Sequence, residues 1–111
     1  MRELRILHAA DLHLDSPFEG LTAEKARLRR EEQRELLGRL RELVTEREID
    51  LVLLCGDLLD GADTYPETGE QLRRALNGMG VPVFISPGNH TDIKVILWLH
   101  FSAFCCLLHC L

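Results

Sequence analysis

Ile49-Asp50-Leu51-Val52-Leu53-Leu54-Cys55-Gly56-Asp57-Leu58-Leu59-Asp60 is the stretch on which the reading of this chain turns. Leu51 to Cys55 are apolar without interruption, the pattern of a strand buried in a sheet rather than one alternating against water. The strand is read as Ile49 to Cys55. Gly56 then allows a tight turn that presents the carboxylate of Asp57 at the strand's C-terminal end. Cys55, inside the run, reads as a small buried hydrophobe.

Upstream of this strand the periodicity is helical. Leu28, Leu36, Leu37, Leu40, Leu43 and Val44 recur at spacings of three and four, with Arg and Glu between them. Thr22 is a plausible N-cap and the helix should end near Glu48. Its Arg and Glu residues are expected to form a solvated face laced by i,i+4 pairs. Leu4 to Ala10 reads as a short strand, followed by irregular backbone marked by Asp15, Ser16, Pro17 and Gly20.

Downstream, Asp60, Gly61, Asp63 and Pro66 belong to a loop, and Glu67 to Asn77 to a helix with Leu72, Ala75 and Leu76 inward. Gly78 and Gly80 stop it. Val81 to Ile85 is a third strand, with Ser86-Pro87-Gly88-Asn89-His90 turning off its end. Strand, helix, strand, helix, strand in alternation predicts an α/β layered fold with neighbouring parallel strands.

The 111 residues fit one small domain. Apolar residues make up 46% and charged residues 28%, as in ordinary globular chains. The net charge of -5 excludes nucleic-acid binding by a generally basic surface, but not a metal site that holds phosphate. After Asp92 the composition changes: Ile93 to Leu111 is apolar at fifteen of nineteen positions. No turn signal or strand–helix alternation is read there. Residues 1–92 are therefore taken as the domain and 93–111 as an atypical apolar tail. Three readings of the tail stay open: a membrane span, a segment docked on the core, and a tail foreign to the fold produced by a frameshift. The last is favoured by the abruptness of the change. Cys105, Cys106 and Cys110 lack the paired spacing of a zinc site. With no signal peptide evident, a reducing cytoplasm is the expected setting.

Three polar clusters fall at the C-terminal ends of the three strands: Asp11 with His13, Asp57 with Asp60, and Asn89 with His90. Ligands of open α/β sheets bind there, so loops distant in sequence can converge. Asp11 and His13 are two apart and share a side if the backbone is extended. A carboxylate with an imidazole suits Mn²⁺, Fe or Zn²⁺ better than Ca²⁺. Asp57 has two oxygens and can bridge two ions about 3.5–4 Å apart. Asn89 offers a carbonyl oxygen, and His90 can give or take a proton. Each element alone is commonplace in loops; the three in this order are not. His8 reads as a strand-end or core histidine.

Asp11-Leu12-His13, Gly56-Asp57-Leu58-Leu59-Asp60 and Gly88-Asn89-His90 together resemble the motifs of the calcineurin-like metallophosphoesterases. His8-Ala9-Ala10-Asp11-Leu12-His13-Leu14-Asp15-Ser16-Pro17-Phe18 resembles in particular the DNA-repair exonucleases of the SbcD type. The resemblance covers about residues 4 to 90. It implies that the chain is the N-terminal strand–helix–strand–helix–strand part of such a fold. It also implies two divalent metal ions, with Mn²⁺ the expected identity. Asp11 and His13 would bind the first, Asp57 both, and Asn89 the second, while His90 would act on the leaving oxygen. Asp60 would support its loop. DNA is the implied substrate and an ATPase subunit the implied partner; membrane association is not expected.

The sequence departs from that pattern in two places. Thr91 intervenes before Asp92, where the family has an acid directly after Gly-Asn-His, and the later histidine and Gly-His-X-His motif do not appear. The second metal site is thus expected to be incomplete and hydrolysis by this chain weak or absent. Two other functions remain alternatives: a phosphatase or cyclic-nucleotide phosphodiesterase on a small substrate, and a non-catalytic fragment associated with a membrane through the tail.

Overall fold

The computed structural model describes residues 3–60, 65–87 and 105–107. β1 (Ile6–Ala10), α1 (Ala23–Glu46), β2 (Leu51–Gly56), α2 (Pro66–Asn77) and β3 (Val83–Pro87) follow in the order read from the sequence, and β4 (Cys105–Leu107) comes after them. All neighbouring strands are parallel, in the order β1-β2-β3-β4. The α/β architecture is as expected. β4 is a correction: strand pairing does continue into the apolar stretch, with Val83 opposite Cys105. A three-residue strand lies below the length at which periodicity can be read.

The residues dictate these elements in a direct way. Thr22 caps α1, its hydroxyl accepting the Lys25 N–H at 3.4 Å, which satisfies one of the orphan donors of the first turn. At the other end the Ile49 N–H reaches the Val44 carbonyl at 3.0 Å and the Glu48 N–H reaches that of Thr45 at 3.3 Å. Glu48 takes φ +50 to make that turn, the left-handed residue such a helix stop requires. Pro66 opens α2, where its missing N–H costs nothing.

One face of the sheet is closed by the helices. Val52, Leu54, Val83 and Ile85 share a buried cluster with Leu37 and Val44 of α1 and Leu72, Ala75 and Leu76 of α2. Each strand contributes alternate residues, and their neighbours Leu53, Cys55 and Phe84 are half-buried. Cys55 therefore lies on the less covered face and is not the fully buried residue expected. His8 is exposed on β1, because β1 lies at the edge of the sheet and turns Ile6, His8 and Ala10 to the less covered face.

The α1 stripe also differs from the reading. Leu37 and Val44 are buried, but Leu28 and Leu36 are exposed at 44% and 53%. Toward its N-terminal half the helix instead turns Arg30, Gln33 and Arg34 inward, all partly buried. The i,i+4 pair Arg27–Glu31 and the i,i+3 pairs Arg29–Glu32 and Arg39–Glu42 do occupy the solvated side. No helix among the described residues is long and apolar enough to cross a membrane. The proposed span at Ile93–Leu111 lies, apart from β4, outside the described residues.

Candidate metal centre

The parallel pairing of β1 with β2 does not stop where the strands stop. The Asp11 N–H donates to the Cys55 carbonyl at 2.9 Å, the His13 N–H to Asp57 at 2.9 Å, and the Leu14 N–H to Leu58 at 3.0 Å. The Asp60 N–H returns to the Leu14 carbonyl at 2.8 Å, and Leu14 bridges Leu59 in parallel fashion. Leu14, Leu58 and Leu59 are buried and pin these loops to the core. The two loops thus run side by side with their polar residues between anchored leucines.

This pairing brings Asp11, His13 and Asp57 together: one donor atom from each lies within 4.8 Å of the others. Among the described residues no other group of three or more metal-binding side chains is found. The route is not the extended one expected. Asp11 has φ +53 and His13 φ +47, so the two side chains converge through left-handed backbone. Asp15 follows with φ +65. Non-glycine residues seldom adopt this conformation, and it persists only where surroundings fix it. Here the backbone ladder fixes it, together with Gln33, whose side-chain amide donates to the carbonyls of His13 at 3.1 Å and Leu12 at 3.5 Å.

Gly56 has the role read for it, with φ +76, and a further one. A Cβ there would overlap the Asp11 carboxylate. The Asp57 N–H donates to Asp11 Oδ1 at 3.2 Å, so Gly56 lets two acidic residues approach while a backbone donor screens part of the repulsion. Nδ1 of His13 lies 3.8 Å from Oδ1 of Asp60. This is beyond hydrogen-bond length, so Asp60 is a near neighbour of the imidazole. It stands outside the group of three, in keeping with a supporting role.

The donor set fits a divalent ion. Two carboxylates supply negative charge, and an imidazole favours transition metals or zinc over calcium. Ligands about 2.0–2.2 Å from a tetrahedral ion lie roughly 3.3–3.6 Å apart, so the three side chains draw together further when they close on one ion. Asp11 is exposed and His13 and Asp57 are half-buried, which leaves the centre open to a substrate. Asn89 and His90 lie outside the described residues. A cavity of about 550 Å³ lies elsewhere, between α1 and α2, among Leu36, Leu37, Arg41, Gln71, Arg74 and Ala75.

The reading from the sequence missed a buried group beside this centre. The carboxylate of Asp15 accepts the Tyr65 N–H at 2.9 Å and the Thr68 hydroxyl at 2.5 Å. Nε of Arg34 donates to the Thr68 hydroxyl at 2.8 Å and lies 3.8 Å from Asp15 Oδ1. Asp15 and Thr68 are buried. The only signal for them was indirect, an aspartate two residues after His13.

A parallel α/β sheet whose strand ends gather two carboxylates and an imidazole presents a candidate metal centre. The family follows from sequence comparison: this chain belongs to the calcineurin-like phosphoesterases, whose model matches residues 4–107. It is 30% identical over 99 residues to the uncharacterized metallophosphoesterase YhaO of Bacillus subtilis, covering 84% of this chain and 24% of that protein. It is 36% identical over 94 residues to the SbcD subunit of the SbcCD nuclease of the same organism, covering 80% and 22%. The corresponding SbcCD nuclease subunit of Rhodobacter capsulatus is 30% identical over 92 residues, covering 78% and 21%. The chain thus spans about a quarter or less of the length of these relatives.

Proposed function

We propose that this chain carries the first half of a two-metal centre for hydrolysis of phosphodiesters, of the DNA-exonuclease lineage. The observation that carries the proposal is the convergence of Asp11, His13 and Asp57 at the C-terminal ends of β1 and β2. In this reading Asp11 and His13 hold one divalent ion, Asp57 both, and Asn89 the second, with Mn²⁺ as the metal. Ions bound there supply positive charge to the phosphoryl oxygens and make water a better nucleophile.

The chain's own residues have distinct tasks. Asp11 and Asp57 place negative charge where a cation is needed, and Gly56 lets them do so at short range. Asp60 supports its loop beside the His13 ring. His90 keeps a proton for the departing oxygen. DNA as substrate and an ATPase subunit as partner are supported by the two relatives that are named as subunits of an SbcCD nuclease. The cytoplasm is the setting this reading assigns, and the free Cys55 suits it.

The deciding experiment is Mn²⁺-dependent hydrolysis of bis-p-nitrophenyl phosphate, single-stranded DNA and small phosphate monoesters, with Asp57→Asn as control. Hydrolysis of the diester and DNA, lost in Asp57→Asn, supports the proposal. Hydrolysis of monoesters alone moves the assignment to a phosphatase. No hydrolysis, with Mn²⁺ still bound by the wild type and not by Asp57→Asn, keeps the metal centre and removes the activity from this chain.

A further inference from the structure

The loop that carries Asp11 and His13 contains four left-handed non-glycine residues: Asp11, His13 and Asp15 at alternate positions, and Phe18 beyond them. Backbone hydrogen bonds to β2 hold its start, and the buried side chain of Leu14 holds its middle. Its far end has no strand to pair with. There the carboxylate of Asp15 turns inward, 2% exposed, and meets the N-terminus of α2. It accepts the N–H of the N-cap residue Tyr65, which lacks a side-chain cap of its own. It also accepts the hydroxyl of Thr68, whose oxygen is in turn engaged by Nε of Arg34 from α1. A charge buried this deeply is stable only where partners are supplied. Here they come from both helices, 19 and more residues away in sequence.

We propose that Asp15 is a positioning residue: with Thr68 and Arg34 it clamps the β1 loop to both helices, so that Asp11 and His13 are held against Asp57. The proposal rests on the reading of those three residues as a divalent-metal centre. Each member of the clamp has a defined duty. Arg34 orients the Thr68 hydroxyl by occupying its lone pair, and this directs the hydroxyl proton to Asp15. The Asp15 carboxylate fixes its own φ of +65 by reaching α2. Two residues upstream, His13 has its carbonyl held by Gln33, while Asp60 lies 3.8 Å from its ring. Release at Asp15 frees the part of the loop just past Leu14, the last residue that backbone bonds tie to the β2 side, and the imidazole loses its aim.

The test uses the whole chain in four forms: wild type, Asp15→Asn, Thr68→Val and Thr68→Ser. Mn²⁺ affinity is read from the paramagnetic signal of free Mn²⁺, and the loop itself from amide hydrogen exchange without metal. The expected result is a roughly 10–100-fold loss of Mn²⁺ affinity in Asp15→Asn and Thr68→Val, the range for groups that orient a ligand. Faster exchange at the His13 and Leu14 amides should accompany it, while Val52 and Leu54 in β2 keep their protection. Thr68→Ser, which keeps the hydroxyl, should behave as the wild type. Wild-type Mn²⁺ affinity and unchanged loop exchange in Thr68→Val overturn the proposal. So does exchange that rises equally in β2 and the loop of Thr68→Val, which would make the group a core element; this variant decides even if Asp15→Asn fails to fold. A wild type that binds no Mn²⁺ overturns the metal reading and the positioning role together, whereas a wild type that binds Mn²⁺ as tightly as Thr68→Val does overturns the positioning role alone.

Discussion

The carboxylate of Asp11 occupies the space that a side chain on residue 56 would need, and Gly56 is the residue that leaves it free. The same glycine has φ +76, so an alanine there meets both a clash and an unfavourable backbone. Gly56→Ala is expected to lose at least about 1–2 kcal/mol from the backbone alone, and to displace Asp11 from the centre. Urea unfolding with and without Mn²⁺ would check this. The metal-dependent gain in stability should vanish along with part of the baseline.

Asp57→Asn separates the two roles of that position. Its backbone carbonyl accepts the His13 N–H, and the substitution leaves that bond in place. The side chain change relieves repulsion from the neighbouring Asp11 carboxylate. Without metal the variant is therefore expected to be at least as stable as the wild type. With Mn²⁺ at a hundred times its Kd the wild type gains about 2.7 kcal/mol by mass action and the variant does not. Melting curves in EDTA and in Mn²⁺ would show the crossing.

Leu72 tests the layer beneath the site. It is completely buried on α2, in the cluster that contains Val52, Leu54, Val83 and Ile85. Leu72→Ala is expected to cost about 2–5 kcal/mol through lost burial and the cavity left behind. Guanidinium unfolding monitored by circular dichroism would give the value. A loss under about 1 kcal/mol would mean that α2 is not seated on the sheet as described.

Acid dependence can be placed at one surface cluster. Arg73 donates to both oxygens of Glu70, at 2.9 and 2.7 Å, and Arg74 adds a third bond at 3.0 Å. The hydrogen bonds from Arg73 foremost hold the Glu70 carboxyl below its ordinary value of 4.5; desolvation opposes them, and the charge of Arg73 and the contribution of Arg74 add to the lowering. A lowered carboxylate pKa stabilises the folded state above the unfolded value and ceases to do so as pH falls through the folded one. Glu70→Gln should therefore be slightly less stable than the wild type at pH 7, and the gap should close below pH 4.5. Solvent screening keeps it small. Urea midpoints at pH 7 and pH 3 would measure it.

Much of this fold is legible in one dimension because each step uses local chemistry. The apolar run at Leu51–Cys55 and the Thr22 cap mark their elements without help from the rest of the chain, whereas Pro66, read as loop, opens α2. The grouping of Asp11, His13 and Asp57 was legible for a related reason: parallel strands bring their C-terminal ends to one edge. What stayed hidden depends on contacts across the sequence. The left-handed backbone at Asp11 and His13 has no glycine to announce it, so an extended path was the natural expectation. Leu28 and Leu36 looked like core because periodicity cannot tell which of two apolar stripes meets the sheet. Arg34 looked like one more solvated charge, and the approach of Asp15, Thr68 and the Tyr65 ring draws it inward. β4 was missed because three residues are too few to carry a period.

The ladder that continues from the strands into the loops of Leu14 and Leu59 has a consequence for how an ion is received. In most loop-built centres the chain must surrender conformational freedom at the moment of capture, which weakens binding. Here that freedom is given up when the sheet forms, since the amides of Asp11, His13 and Leu14 are tied to β2 and the loop that follows it. Capture then asks little of the protein beyond shedding water from the carboxylates. Calorimetry should accordingly find no large negative heat-capacity change on ion binding, the change that folding coupled to capture would produce.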